Sequence, residues 1–239
     1  MTCCGGSLKT SIVLPTYNER DNILELIESI QGYVEPIGLE YEIVVVDDSS
    51  PDGTADVVLE KFADNDRISV MVRTERGLAT AIKHGILHST GEIIVVMDTD
   101  FNHDPKMIPQ MVQFLEYYDI IIGSRFVMAG GMEDRTRYYF SFIYNLLIRM
   151  LFQTQVQDNL SGFFSIYREK LMEMDVDLIF YGYGDYFIRL LITAWRKKYA
   201  MLEIPVFYRL RMHGHSKTQA ASVLWQYTRS VLRLRLKDI

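Results

Sequence analysis

Cysteine is almost missing from this sequence: two occur in 239 residues, Cys3 and Cys4, adjacent at the N-terminus. Neighbouring cysteines rarely pair with each other, so no disulfide framework exists and a reducing, cytosolic setting is expected. The pair reads either as part of a disordered tail or as a lipidation site. An excess of basic charge is missing too. The formal net charge of −6 argues against a nucleic-acid partner, which would favour a basic footprint, but leaves room for a local basic pocket. No run reaches the roughly 18 apolar residues a membrane span needs. The nearest, Tyr138 to Phe152, is broken by Ser141, Asn145 and Arg149. The start carries no signal-peptide pattern, and no internal repeat or low-complexity linker divides the chain. No Gly-x-Gly-x-x-Gly follows the first apolar run, which disfavours a dinucleotide-binding dehydrogenase.

What is present is an ordinary globular composition, 49% apolar and 23% charged, arranged with a clear rhythm. Short apolar runs at Ser11–Pro15, Tyr41–Asp48, Ile68–Arg73 and Gly91–Val96 alternate with helical patterns. Those patterns begin after Asn22, near Ala55 and near Ala79. Continuous apolar strands alternating with helices indicate an α/β fold, a mostly parallel sheet with helices on both faces. A further strand ends at Gly123-Ser124-Arg125, a Tyr- and Phe-rich helix runs to Phe152, a strand follows Asp158, a helix follows Asp185, and a strand spans Ala200–Tyr208. Residues 1–10 read as a flexible leader, 11–218 as one catalytic domain, and 219–239 as an amphipathic helix suited to a membrane surface.

In open parallel sheets ligands bind beyond the carboxyl ends of the strands. Three motifs fall there: Pro15-Thr16-Tyr17, Asp47-Asp48 and Asp98-Thr99-Asp100. If the strand continues through Asp98-Thr99-Asp100, the two carboxylates point the same way. Such a pair is costly unless a cation sits between them, and hard oxygen ligands suggest Mg²⁺ or Mn²⁺. The reading is a nucleoside-diphosphate site.

The order of Leu14-Pro15-Thr16-Tyr17-Asn18-Glu19, Val45-Val46-Asp47-Asp48-Ser49-Ser50-Pro51-Asp52-Gly53-Thr54, Met97-Asp98-Thr99-Asp100 and Arg211-x-x-Gly214-x-Ser216-Lys217 resembles the inverting, GT-A-type family-2 glycosyltransferases. Within them it is most similar to the dolichol- or polyprenol-phosphate mannose synthases, over about residues 10 to 218. The resemblance implies a GT-A fold and transfer of mannose from GDP-mannose to a polyprenyl phosphate with inversion. It also implies that Pro15, Tyr17, Glu19, Val46 and Asp48 line the nucleoside pocket. Asp98, Thr99 and Asp100 would meet the sugar diphosphate, with Asp98, Asp100 and Asn102 as metal ligands; Asn102 stands where the family more commonly has Gln. Arg125, Arg211 and Lys217 match the cations that face the phosphates, and Arg125, Arg137 and Ser141 the acceptor-phosphate grip. The implied cofactor is Mg²⁺ or Mn²⁺. The partners are a nucleotide sugar, a polyprenyl phosphate lipid, a membrane surface and a possible membrane subunit, with the enzyme peripheral at the cytoplasmic face.

Several residues carry two readings. Asp47 either caps the next helix or belongs to the pocket. His103 is a metal ligand or a capping or packing histidine. Asp185 is a general base for a hydroxyl acceptor or a helix cap; the mannose synthases usually lack an acid there, since a phosphate monoester is already anionic at neutral pH. The apolar stripe Phe140, Phe142, Ile143, Leu146, Leu147, Met150 and Leu151 suits an interfacial helix or a buried one. The tail, with Val223, Leu224, Tyr227, Val231 and Leu234 beside Arg229, Arg233, Arg235 and Lys237, suits a membrane-surface helix or one docked on the domain. Rival functions are a UDP-glucose-dependent transferase, a transferase to a hydroxyl acceptor, and a sugar-nucleotide-binding subunit of a membrane complex.

Overall fold

Successive side chains of a strand face opposite ways, and that alternation divides the core in two. In the computed structural model, which describes residues 8–209, 227–229, 231, 234 and 235, strands β1 (Thr10–Thr16) and β2 (Tyr41–Asp47) are buried on both faces. Val13, Val44 and Val46 pack on one face of the sheet against α3 (Leu78–His88) and α8 (Tyr186–Arg196). Ile12, Leu14, Ile43 and Val45 pack on the other against α1 (Arg20–Val34) and α4 (Ile108–Phe114). This two-sided burial is why the strands read as continuous apolar runs.

Helix α2 spans Thr54–Lys61, and the remaining strands are β3 (Ile68–Val72), β4 (Ile93–Val96), β5 (Ile120–Ser124), β7 (Phe164–Tyr167) and β8 (Met201–Pro205). With β1 and β2 these strands form a seven-stranded sheet in the order β3-β2-β1-β4-β7-β5-β8. All neighbours run parallel except β7, which lies antiparallel between β4 and β5. The expected α/β fold with a mostly parallel sheet is what forms. Two strands of two residues each, β6 (Gly131–Met132) and β9 (Phe207–Tyr208), pair separately.

Three local expectations change. The single strand anticipated over Ala200–Tyr208 is two, because after Pro205 the chain leaves β5 and Phe207–Tyr208 pairs with β6. The Gly130-Gly131 loop contributes β6 to that pairing. Strand β4 stops at Val96, so Asp98 and Asp100 lie in an irregular loop and do not alternate as strand residues. Asp98 is 41% exposed at its side chain, whereas Asp100 is only 4% exposed. Helices α6 (Arg168–Met172) and α7 (Val176–Ile179) are short connectors before α8.

Helix α5 (Arg135–Phe152) answers the question left by its sequence. Of its 18 residues only Asn145 and Ile148 are buried. Tyr139, Phe140, Phe142, Ile143, Leu146, Leu147 and Met150 are exposed. It is not a core helix. No helix among the described residues is long and apolar enough to cross a membrane.

Candidate functional site

The carboxyl edge of β1, β2 and β4 gathers the predicted nucleoside residues, and the structure assigns several of them internal partners. Tyr17 follows β1 and lies under the Arg76 guanidinium, 4.3 Å from its ring centre. Glu19 begins α1: its N–H donates to Thr54 Oγ1 and its carboxylate accepts from Asn22 Nδ2. Pro15 is buried in β1. Val46 is fully buried with its side chain against Gly85 of α3, beneath the edge. Asp47 does not cap a helix. It accepts from Ser50 N–H, Ser50 Oγ and Thr16 Oγ1, closing the turn after β2, while Asp52 accepts from the N–H of Thr54 at the start of α2. Asp48 takes Arg73 Nε at 2.9 Å on one oxygen and Gly77 N–H at 2.8 Å on the other. It thereby ties the end of β2 to the loop that opens α3, the loop carrying Arg76.

Beyond β4 the chain folds back on itself. Phe101 adopts a left-handed φ of 60°, a conformation costly for a non-glycine residue and most often kept where a site over-determines it. The reversal brings Asn102 onto Asp100: its N–H reaches Oδ1 at 3.2 Å and its Nδ2 reaches Oδ2 at 2.8 Å. Thr99 is buried. His103 is fully buried, stacked on Phe163 with ring centres 4.8 Å apart. It accepts the Asp98 N–H at Nδ1, 2.8 Å, and contacts the Tyr208 hydroxyl at Nε2, 2.7 Å. The helix-cap reading of His103 gives way to this one, and Asp104 supplies the cap of the following 3-10 turn.

Asp98, Asp100 and Asn102 offer two carboxylates and an amide oxygen, a hard donor set that suits Mg²⁺ or Mn²⁺. Among the described residues no group of three or more His, Cys, Asp or Glu gathers around one point. An ion bound to a nucleotide needs no such cage, since Mg²⁺ is usually held by one or two carboxylates plus substrate phosphates. The residues present fit that mode.

Burial first raises the hydroxyls of Tyr186, Tyr208 and Tyr227 above the usual tyrosine range; the Asp98 carboxylate is the next cause for Tyr186, Asp158 adds more at Tyr208, and Tyr183 and Asp185 add more at Tyr227. They are neutral donors at physiological pH. Tyr208 also lies beneath Arg125, 4.8 Å from guanidinium to ring centre.

Arg125 is the residue whose surroundings the sequence least foretold. Its backbone N–H, Nε and Nη2 all donate to Asp158, at 3.0, 2.8 and 2.7 Å. Burial alone would lower its pKa, but the Asp158 carboxylate outweighs it and drives the pKa up, so Arg125 is a permanent cation. Asp158 is itself seated by Glu203, which accepts the N–H groups of Gln157 and Asp158. Arg137 and Ser141 sit one turn apart on α5, near the residues that pack on Phe126: Tyr138 and Phe142 have ring centres 5.0 and 5.6 Å from it. Arg137 is exposed and its N–H is capped by Asp134. Arg211 and Lys217 lie outside the described residues.

Asp185 stands at the N-cap position of α8 without capping it. One oxygen accepts the Tyr183 N–H and the other pairs with the buried Arg189. Arg189 also donates to the carbonyls of Ile179 and Tyr181, so the pair pins the 179–185 loop to α8.

Asp158, Ser161, Tyr186, Tyr208 and Glu203 went unassigned in the sequence. Ser161-Gly162-Phe163, a further tripeptide in which the chain resembles the family, is the one available signal. Tyr208 reads as an ordinary strand aromatic, and Asp158 as a turn residue.

Comparison with known proteins fits this geometry. The description "Glycosyl transferase family 2" matches residues 11–175. The chain is 33% identical over 238 residues to a dolichol-phosphate mannosyltransferase of Pyrococcus furiosus, covering 95% of this chain and 64% of that protein. The chain thus spans just under two thirds of that relative. It is 30% identical over 223 residues to a polyprenol monophosphomannose synthase of Mycolicibacterium smegmatis, covering 90% of this chain and 83% of the relative. Among solved structures, glucosyl-3-phosphoglycerate synthase of Mycobacterium tuberculosis with Mn²⁺ and UDP-glucose superposes with a TM-score of 0.72. That match is at 22% identity and covers 95% of this chain and 79% of that one. The same synthase with Mg²⁺ and UDP gives a TM-score of 0.67 at 20% identity, with coverage of 95% and 79%. By its sequence match over more than half its length and by its GT-A architecture, this chain belongs to glycosyl transferase family 2.

Proposed function

We propose that this protein transfers mannose from GDP-mannose to a polyprenyl phosphate at a membrane surface, with inversion, giving a β-linked lipid-phosphate sugar. The observation that carries the acceptor is α5: seven large apolar side chains are exposed along one helix whose first turns pack on Phe126, next to Arg125. Contiguous exposed apolar surface of this kind marks an interaction site, and an amphipathic helix lying in the headgroup region has this character. The names of the two curated relatives support the sugar and the lipid class.

In this reading the base stacks near Tyr17 and Arg76, and the diphosphate lies along Asp98, Thr99 and Asp100. Asp98, Asp100 and Asn102 would hold the Mg²⁺ or Mn²⁺. Bound there, the ion would neutralise charge on the diphosphate. Arg211 and Lys217 would clamp the same charge as it grows, the role of such cations in phosphoryl-leaving chemistry. An acceptor phosphate oxygen attacks the anomeric carbon as the bond to the diphosphate oxygen breaks, and GDP leaves with the bonding pair. The acceptor is already anionic, its second pKa being near 6, so no general base is required. Asp185, which carries Arg189 and the Tyr183 N–H, is read as a structural group. Arg137 and Ser141 remain the candidates for the acceptor phosphate, and the cytoplasmic face is the proposed site of action.

Radiolabelled GDP-mannose incubated with polyprenyl phosphate, vesicles and Mn²⁺ tests the proposal. Label in the lipid phase is expected. Label appearing only when UDP-glucose replaces GDP-mannose overturns the donor, and transfer to a hydroxyl acceptor alone overturns the lipid phosphate.

A further inference from the structure

A neutral imidazole carries one N–H. His103 accepts the Asp98 backbone N–H at Nδ1, at 2.8 Å, so its proton belongs on Nε2, an assignment made by the hydrogen-bond network. That Nε2–H has a partner in the Tyr208 hydroxyl at 2.7 Å, while the Asp98 carboxylate at 3.8 Å is too far to compete. Tyr208 can then turn its own proton to the Ser161 carbonyl at 3.0 Å. Ser161 in turn is anchored on the Gly123 carbonyl of β5. The polarity of the chain is therefore set from end to end: Asp98 N–H to His103, His103 to Tyr208, Tyr208 to Ser161. The ring is completely buried and stacked on Phe163.

This tether matters because of where β4 ends. The strand ends at Val96, and Phe101 reverses the chain two residues after Thr99. We infer that His103, held as its Nε2–H tautomer by Tyr208, is a positioning residue that fixes the backbone at Asp98 and so aims the first carboxylate of the Asp-x-Asp pair. His103 is not a metal ligand in this arrangement, since both ring nitrogens are committed to protein partners. The consequence for metal binding rests on the donor site proposed above, whereas the tether itself does not.

Two substitutions separate the tether from simple packing. In His103→Asn the side-chain oxygen stands where Nδ1 stood and can still accept the Asp98 N–H. In His103→Gln the amide reaches toward Tyr208 and abandons Asp98. Both leave a smaller or reshaped buried group, so both should lower the melting temperature. In the ligand-free full chain, exchange of the Asp98 amide should stay slow in wild type and His103→Asn and become fast in His103→Gln. Nitrogen-15 spectra of wild type should give His103 the Nε2–H pattern. Mn²⁺ titrated with GDP present should bind about tenfold or more weakly in His103→Gln and close to normally in His103→Asn, the size of effect usual when a group orienting a metal ligand is lost. Equal losses in the two variants, no loss in either, or an Nδ1–H pattern overturns the inference. Failure of wild type to bind Mn²⁺ with GDP, with the exchange contrast intact, overturns the donor site and upholds the tether.

Discussion

Removing Asp158 should be among the most damaging single substitutions outside the apolar core. Its side chain is fully buried and that of Arg125 is 5% exposed, so solvent screens the pair very little. Three Arg125 donors and the Leu160 N–H converge on one carboxylate. Asp158→Ala strands a buried guanidinium that cannot shed its proton. Breaking one side of a buried ion pair costs about 3–5 kcal/mol. For a chain of this size each kcal/mol moves the melting temperature by about 2–4 °C, so a fall of about 6–20 °C is expected by differential scanning calorimetry. Asp158→Asn keeps one acceptor oxygen and should fall in between. The double variant Arg125→Met with Asp158→Ala removes the stranded charge, so its loss should be smaller than the sum of the single losses. A shift under about 2 °C for Asp158→Ala, or an additive cycle, would refute the argument. It would mean that Arg125 finds its main partner elsewhere, as a cation reaching out to a diphosphate would.

Other consequences follow from single contacts. Burial alone would raise Glu42, but bonds from Lys9, Ser11 and Thr90 outweigh it and bring its pKa down to about 2, against an ordinary 4.5. A folded-state pKa below the unfolded one gives stability that is full above the ordinary glutamate range and lost as pH falls toward 2. Glu42→Gln should therefore narrow the gap between urea midpoints at pH 7 and pH 3, and an unchanged gap would count against the assignment. At Gly85 of α3 an added Cβ would come within 2.5 Å of Val13 and 2.9 Å of Val46, so Gly85→Ala should cost about 1–3 kcal/mol by overpacking, read from denaturant midpoints. Phe140→Ser with Ile143→Ser should cut vesicle co-sedimentation severalfold with little change in melting temperature, as both side chains are exposed; a parallel loss of stability would assign α5 to the fold instead. Asp185→Asn should lower thermal stability by weakening the Arg189 pair, yet at temperatures well below melting keep transfer to an anionic acceptor. Abolished transfer with an intact fold would restore the general-base reading.

Much of the architecture is legible locally. Strands β1, β2 and β4 are near-continuous β-branched runs because both faces are covered, and helices α1 and α3 carry their apolar stripes at the right period. What sequence pattern could not supply was the state of β4 at its end. Asp98-Thr99-Asp100 reads as a strand continuing through two parallel carboxylates, but sheet pairing stops at Val96. The residue that accepts the Asp98 N–H beyond it, His103, reads locally as a ligand or as a capping or packing histidine. Likewise Ala200–Tyr208 reads as one strand, since nothing in its pattern announces a change of partner at Val206. Helix α5 has the stripe of a core helix, and only packing reveals that most of that stripe is exposed, with Asn145 and Ile148 alone buried.

The sequence by itself determined the sheet and its working edge. Period-2 and period-3.6 patterns act within a few residues, and a parallel sheet built from them must present its loops, and hence Tyr17, Asp48 and Asp98, on one side. The tertiary structure decided which of those polar groups are spent holding the site together. Asp48 is bonded to Arg73 and Gly77, 25 and 29 residues away. Arg125 is bonded to Asp158, 33 residues on, and His103 to Tyr208, 105 residues on. A buried charge or ring nitrogen has to find a partner, but which one it finds is a property of the folded chain.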